Sequence, residues 1–197
     1  MEQVVICIIP STPAFSKIKG LMEKYSNELN SSKALIFPPH LTLIGRFKTD
    51  KFAELKTVLS EYSKKMKSFK VTLKGCYNFD SPKILFLKPD KLDELRKLHN
   101  ELLDLIEDFK DPWVRDAFTK ENYSDQQKKY VEQYGSPYVK EFYNPHLTLA
   151  GPDVNEEKFL DIINSNNRYS ITFDVKKIDI LRRTGDDWII ENIDKKE

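Results

Sequence analysis

Seven residues, Pro39-His40-Leu41-Thr42-Leu43-Ile44-Gly45, return as Pro145-His146-Leu147-Thr148-Leu149-Ala150-Gly151, with six of the seven positions identical. The chain holds 3 histidines, and two of them sit in these copies. A repeat so short and so rich in functional groups restricts the chain to folds that bring two equivalent segments together. It predicts two half-sites that meet in space, with two imidazoles and two hydroxyls facing each other across an approximate two-fold axis.

Leu, Thr and Ile favour extended backbone, and the glycine punctuates the far end of each copy. Proline cannot donate a ladder hydrogen bond, so it suits the first residue of a strand. Alternate side chains of a strand share a face. His40 and Thr42 therefore point one way and Leu41 and Leu43 the other; His146 and Thr148 repeat this against Leu147 and Leu149. One His-x-Thr is a weak signal, since a strand-end histidine bonded to backbone would look the same. Two copies with matching proline and glycine flanks are far more specific.

At 197 residues one domain is the expectation, and 40% hydrophobic content suffices for its core. A net charge of +1 argues against a broad basic nucleic-acid platform, though a local positive patch can still hold one phosphodiester. Cys7 and Cys76 read as small buried hydrophobes in a reducing compartment. The apolar run 4–9 is too short for a membrane span and lacks a basic leader, so a cytoplasmic protein with no membrane partner is expected. No Cys/His cluster has zinc spacing and no Walker-type loop is present, so neither a metal nor another cofactor is expected.

Periodicity predicts a strand at 4–9, a helix within 14–29, and the first motif strand at 40–47. A helix follows over 51–66, with Phe52, Leu55, Val58 or Leu59, and Tyr62 at helical spacing. Strands at 69–79 and 84–87 join at Asp80-Ser81-Pro82. The segment 91–109 carries one apolar stripe from Leu92 to Phe109, with Asp90 as its N-cap and Asp93 and Glu94 in its first turn. A less regular stretch, 110–144, precedes the second motif strand. Then come a helix at Glu156–Asn164, a strand at 170–181 and a strand at 188–193, the last two joined at Thr184-Gly185-Asp186-Asp187. The order motif strand, helix, strand, strand thus occurs twice. Such alternation predicts an α+β fold, with mixed or antiparallel sheets around a central cleft and helices outside.

Paired His-x-Thr motifs in a duplicated α+β frame resemble the 2H phosphoesterase superfamily, which includes 2′–5′ RNA ligase-like proteins and cyclic phosphodiesterases. The resemblance covers most of the chain in element order, but its specific residues are the two motifs. It implies a single domain over 1–197 with two pseudo-symmetric lobes and an aromatic-rich insertion at about 110–144. It implies catalytic roles for His40, Thr42, His146 and Thr148, with His146 as base and His40 as acid. Tyr134-Gly135-Ser136-Pro137-Tyr138-Val139 also resembles a branch of that superfamily associated with phosphonate metabolism.

Those residue types suit cleavage of a phosphodiester without a metal. A base must take a proton from the attacking oxygen, an acid must protonate the leaving oxygen, and donors must hold the non-bridging oxygens. Imidazole, with an unperturbed pKa of about 6.5, serves either role near neutrality. The expected substrate is a 2′,3′-cyclic phosphate, a 2′–5′ linkage (a cyclic oligonucleotide included) or a short RNA, and a monomer is expected. Ligation by the reverse reaction, or binding of RNA or nucleotide without turnover, are the competing functions.

Other residues carry weaker signals. Arg46 and Lys48 continue the His40 face by alternation, so either can reach a phosphate or simply be solvated; Arg182 and Arg183 have the same status. His99 lies beside the apolar stripe and is given no catalytic role. The stretch 110–144 interleaves Trp113, Phe118, Tyr123 and other rings with Arg115, Lys120, Lys128, Lys129 and Lys140. That composition suits either a base-stacking lid or rings packed on the body. Tyr138 and Tyr143, which lead into the second motif, are the expected substrate contacts.

Overall fold

The computed structural model describes residues 1–111, 116–119, 123–164 and 168–193. Val4 to Ile8 are apolar at every position, and the strand they form, β1 (Glu2–Ile8), is buried on both faces. It lies inside a four-stranded sheet with β2 (Leu41–Thr49), β7 (Asp179–Thr184) and β8 (Asp187–Glu191), in the order β2-β1-β7-β8. The second sheet holds β3 (Phe69–Asp80), β4 (Lys83–Pro89), β5 (Leu147–Ala150) and β6 (Ser170–Val175), in the order β5-β4-β3-β6. The described pairings are all antiparallel. The first motif therefore leads into an edge strand of one sheet and the second into an edge strand of the other.

The α-helices among the described residues are α1 (Thr12–Leu29), α2 (Phe52–Lys65), α3 (Asp93–Leu105), α4 (Asp116–Thr119), α5 (Asp125–Tyr134) and α6 (Glu156–Asn164). Ala14, Ile18, Met22, Tyr25 and Leu29 recur at helical spacing along α1 and are all buried. They join Val4, Ile6, Ile8, Leu41 and Leu43 of the first sheet and Leu85, Leu87, Leu147 and Leu149 of the second in one core. Each such side chain contributes about 1.5–3 kcal/mol on burial. The other face of the first sheet carries a separate small cluster of Val5, Cys7, Leu181 and Trp188, with Phe37 packed against it. The leucines of both motifs thus anchor their strands in the common core.

Several boundaries differ from the sequence expectation. Both motif histidines stand one residue before their strands. Asp90 does not cap α3: the N-cap is Leu92 without a side-chain cap bond, and Asp90 instead pairs with Lys74 at 3.2 Å. The segment expected as one strand at 170–181 is two, because the chain leaves the second sheet at Val175 and enters the first at Asp179. At that crossing Ser63 Oγ accepts from Ile178 N at 3.1 Å, and the Asp179 carboxylate accepts from Ile9 N at 3.1 Å. The stretch expected to be less regular contains α5, closed by a capping box of Ser124 and Gln127 and ended by Gly135 in the left-handed region.

Candidate active site

The turn before each motif strand holds its imidazole in the same way. His40 Nδ1 lies 2.9 Å from Pro38 O, and His146 Nδ1 lies 2.9 Å from Asn144 O. A carbonyl can only accept, so Nδ1 carries the hydrogen in both rings. The neutral form of each then bears its lone pair on Nε2. Two residues upstream, one bond length: the pseudo-symmetry of the sequence is repeated in the geometry.

The charge of His146 acts on the His40 ring. Burial chiefly lowers the His40 pKa, to about 4, and the charges of His146 and Arg46 push the same way against the bond to Pro38. His146 is lowered by burial and by Lys88, partly offset by the bond to Asn144. Both imidazoles are partly exposed, as are Thr42 and Thr148. Thr42 pairs with Cys7 across β1–β2, and Thr148 pairs with Phe86 across β4–β5.

Each histidine also backs onto an aromatic wall that carries one cation. Phe37 lies 5.4 Å from His40 and stacks on Trp188 at 5.0 Å, and the Arg46 guanidinium sits 5.1 Å from both of those rings. On the other side Phe79 and Phe86 each lie 5.1 Å from His146, and Lys88 Nζ lies 5.8 Å from the Tyr77 ring. Sequence reasoning singled out Arg46 but missed Lys88 and both walls. The hairpin register holds the signal for Lys88: Phe86 faces Thr148, so the residue two further along β4 shares its face toward His146. A cavity of about 270 Å³ backs onto Phe37 and Trp188 from the side of α1. A larger depression of about 690 Å³, between α2 and α3, is lined by residues such as Tyr62, Lys97 and Glu101 and by none of the motif residues.

Other expected site residues are placed elsewhere. Tyr143 is 6% exposed, and its hydroxyl donates to Thr42 O at 2.8 Å. It is a buried brace, with its ring and its donor already engaged, and not the open substrate contact that its place before the motif suggested. Tyr138 is exposed, and its ring neighbours include Phe118 at 5.9 Å and Tyr123 at 6.1 Å. Arg182 bonds to Glu191, and Arg183 Nε donates to Gly185 O at 2.9 Å, so both arginines brace the β7–β8 hairpin. Trp113, Arg115 and Lys120 lie outside the described residues. His99 is not at the helix flank but buried, at 2% exposure.

Among the described residues no group of three or more His, Cys, Asp or Glu side chains is placed to hold a metal ion, and no helix is long and apolar enough to cross a membrane.

The family described as the 2′-5′ RNA ligase superfamily matches residues 13–187. No curated protein sequence matches. Among solved structures, TT0787 of Thermus thermophilus is similar in fold at a TM-score of 0.59 and 12% identity, covering 97% of this chain and 94% of its own. LigT of E. coli in its apo form follows at 0.55 and 14%, covering 96% and 93%. LigT complexed with 3′-AMP gives 0.54 and 15%, covering 96% and 92%.

Proposed function

The chain belongs to the 2′-5′ RNA ligase superfamily, and on that premise we propose that it is a metal-independent phosphodiesterase. Its substrates are 2′,3′-cyclic phosphates or 2′–5′ diesters of nucleotides or short RNA, including cyclic oligonucleotides. The observation that carries this reading is the matched anchoring of two imidazoles, each bonded through Nδ1 and each offering Nε2, with the charge of His146 acting on His40. The complex of LigT with 3′-AMP, a nucleotide, is consistent with it.

In the reaction, Nε2 of one ring takes a proton from water as the water oxygen bonds to phosphorus in line with the leaving oxygen. The bond from phosphorus to that leaving oxygen breaks, and Nε2–H of the other ring supplies its proton. Thr42 and Thr148 donate to the non-bridging oxygens, while Arg46 and Lys88 offset the charge of the diester. Burial above all, helped by Arg46 at His40 and by Lys88 at His146, favours the neutral form of both rings in the free protein, and an arriving anion raises the pKa of both. Mutual repulsion then favours a single proton shared by the pair, which is the state that acid–base cleavage requires. Following the family resemblance, His146 is assigned as base and His40 as acid. The protein is read as one domain, acting as a monomer in the cytoplasm.

The test is a panel of cyclic and 2′–5′ substrates with product identification, run on the wild type beside His40→Ala and His146→Ala. Each substitution lowers kcat by at least about 100-fold with the fold retained. A diester with an activated leaving group, such as p-nitrophenolate, restores turnover in the variant that lacks the acid and not in the one that lacks the base. Wild-type turnover by either variant sinks the proposal, and tight binding without turnover across the panel replaces it with a recognition role.

A further inference from the structure

The third histidine and the tyrosine before the second motif occupy a position that the proton-transfer chemistry does not use. His99, on α3, lies flat against Tyr143, with ring centroids 4.0 Å apart and an interplanar angle of 1°. Both side chains are buried. His99 Nδ1 is 2.7 Å from Leu43 O, and its Nε2 accepts from Lys140 N at 3.2 Å. The first partner can only accept and the second can only donate, so the ring is fixed as the Nδ1–H tautomer with both nitrogens satisfied. It has no proton position left to lend to catalysis. Lys140 takes a φ of 55°, in the left-handed region that non-glycine residues rarely adopt, and its N–H meets the histidine from there.

Tyr143 completes the link. Its hydroxyl donates to Thr42 O at 2.8 Å. Thr42 lies two residues after His40, and Tyr143 lies three residues before His146. That hydrogen bond joins the first half-site to the segment that delivers the second. The accepting carbonyls of Thr42 and Leu43 are adjacent in β2, where the pairing with β1 shifts register between Ile6–Ile44 and Cys7–Thr42. That irregularity, on an edge strand, lets His99 of α3 and Tyr143, just after the 3₁₀ turn Lys140–Phe142, bond to successive carbonyls.

We infer that His99 and Tyr143 form a cross-tie that sets the separation between the His40–Thr42 and His146–Thr148 half-sites. Neither touches the reacting atoms; both are positioning residues. The tie acts on Thr42 through its own carbonyl, and on His146 through the short segment Tyr143-Asn144-Pro145. In-line displacement tolerates little error in this separation, since a misplacement of about 1 Å can cost about 100-fold in rate. The inference rests on the two-histidine reading for its kinetic consequence, but not for its structural one.

Tyr143→Phe removes the hydroxyl and keeps the stacked ring. Crystal structures of wild type and variant give the distance between the two catalytic Nε2 atoms, which is expected to change by more than about half an ångström. On whichever diester the wild type cleaves, kcat is expected to fall by about tenfold or more with KM within about twofold. Thr172→Val, which removes a hydroxyl pair with Thr72 at 2.9 Å remote from the tie, serves as the stability control and leaves kcat unchanged. His99→Asn keeps a donor for Leu43 O and loses the acceptor for Lys140; His99→Gln does the reverse. The two are expected to retain more activity than His99→Leu, and either one also substitutes if Tyr143→Phe does not fold. An unchanged Nε2 separation overturns the inference, as does unchanged kcat in a variant whose thermal midpoint has fallen. If the wild type turns over no diester, the proposed function fails, and the crystallographic distance still decides the tie.

Discussion

The smallest unit of the site is an imidazole whose Nδ1 is held by a carbonyl and whose charge is opposed by burial. Three such rings give the molecule a defined acid sensitivity. His99 and His40 are each lowered to about 4 by burial, and His146 is lowered too. Their folded-state values lie below the unfolded value of about 6.5, so the unfolded chain binds more protons between those limits. The stability they contribute is fully present above about pH 6.5 and is lost as pH falls toward 4. His99 alone accounts for on the order of 3 kcal/mol, and urea midpoints measured at pH 7 and pH 4.5 check the sign. At the same scale, Lys88→Gln removes a cation that lowers His146. The His146 pKa should rise, as read by NMR titration, and KM for a phosphodiester should increase. The matched placement of both motif histidines was legible from the repeat, because the same turn and strand are written twice. His99 and Tyr143 were not, because their roles depend on which carbonyls an edge strand leaves open, and that is a property of pairing and not of local pattern.

Among elements, the two motif glycines separate despite occupying the same place in the repeat. Gly151 has a φ of 112°, and a Cβ there would lie 2.3 Å from Lys83 O. Around Gly45 a Cβ meets nothing within 4 Å, and no positive φ is found. Gly151→Ala should therefore destabilise by more than about 1 kcal/mol, and Gly45→Ala by no more than about 1 kcal/mol, as compared by denaturant midpoints. The loop after Gly151 is fastened to the end of α1 by Asp153, which accepts from Ser31 Oγ at 2.6 Å and from Ser32 N at 2.9 Å. Those bonds hold its pKa down to about 2 despite the opposing effect of burial. Asp153→Ala should cost about 1–3 kcal/mol at pH 7. Because the folded pKa is depressed, that contribution stands above about pH 4 and fades as pH falls toward 2, so the gap between wild type and variant should narrow in acid. Most helices were legible from apolar spacing, Glu156–Asn164 to the residue. The split between β6 and β7 was written in the sequence as a slip of phase, since Ile171, Phe173 and Val175 alternate on odd positions and Ile178 and Ile180 on even ones. The helix α5 likewise announced itself through Ser124, Gln127 and Gly135, signals overshadowed by the aromatic composition around them.

For the molecule as a whole, the duplicated order of elements foretold mixed or antiparallel sheets with helices outside, and the described pairings are all antiparallel, in two sheets. Their separate membership, with the first motif strand in one sheet and the second in the other, could not be read locally, because strand order depends on crossovers. The proposed chemistry makes one prediction at this scale: turnover should be unchanged after dialysis against EDTA, and activity lost to the chelator and restored by a divalent ion would recast both histidines as ligands. The sheet order also bears on how the polypeptide is made. The strand β7, from near the end of the chain, lies between β1 and β8 in the first sheet, whereas the second sheet has all its strands once Val175 has emerged. During synthesis the later-encoded histidine thus gains a finished platform before the earlier-encoded one does. A nascent chain stalled short of β7 would leave β1 with the edge that β7 covers unpaired, and the first sheet with only β1 and β2. Ribosome-bound intermediates should then be protease-sensitive around His40 while the region of His146 is already resistant.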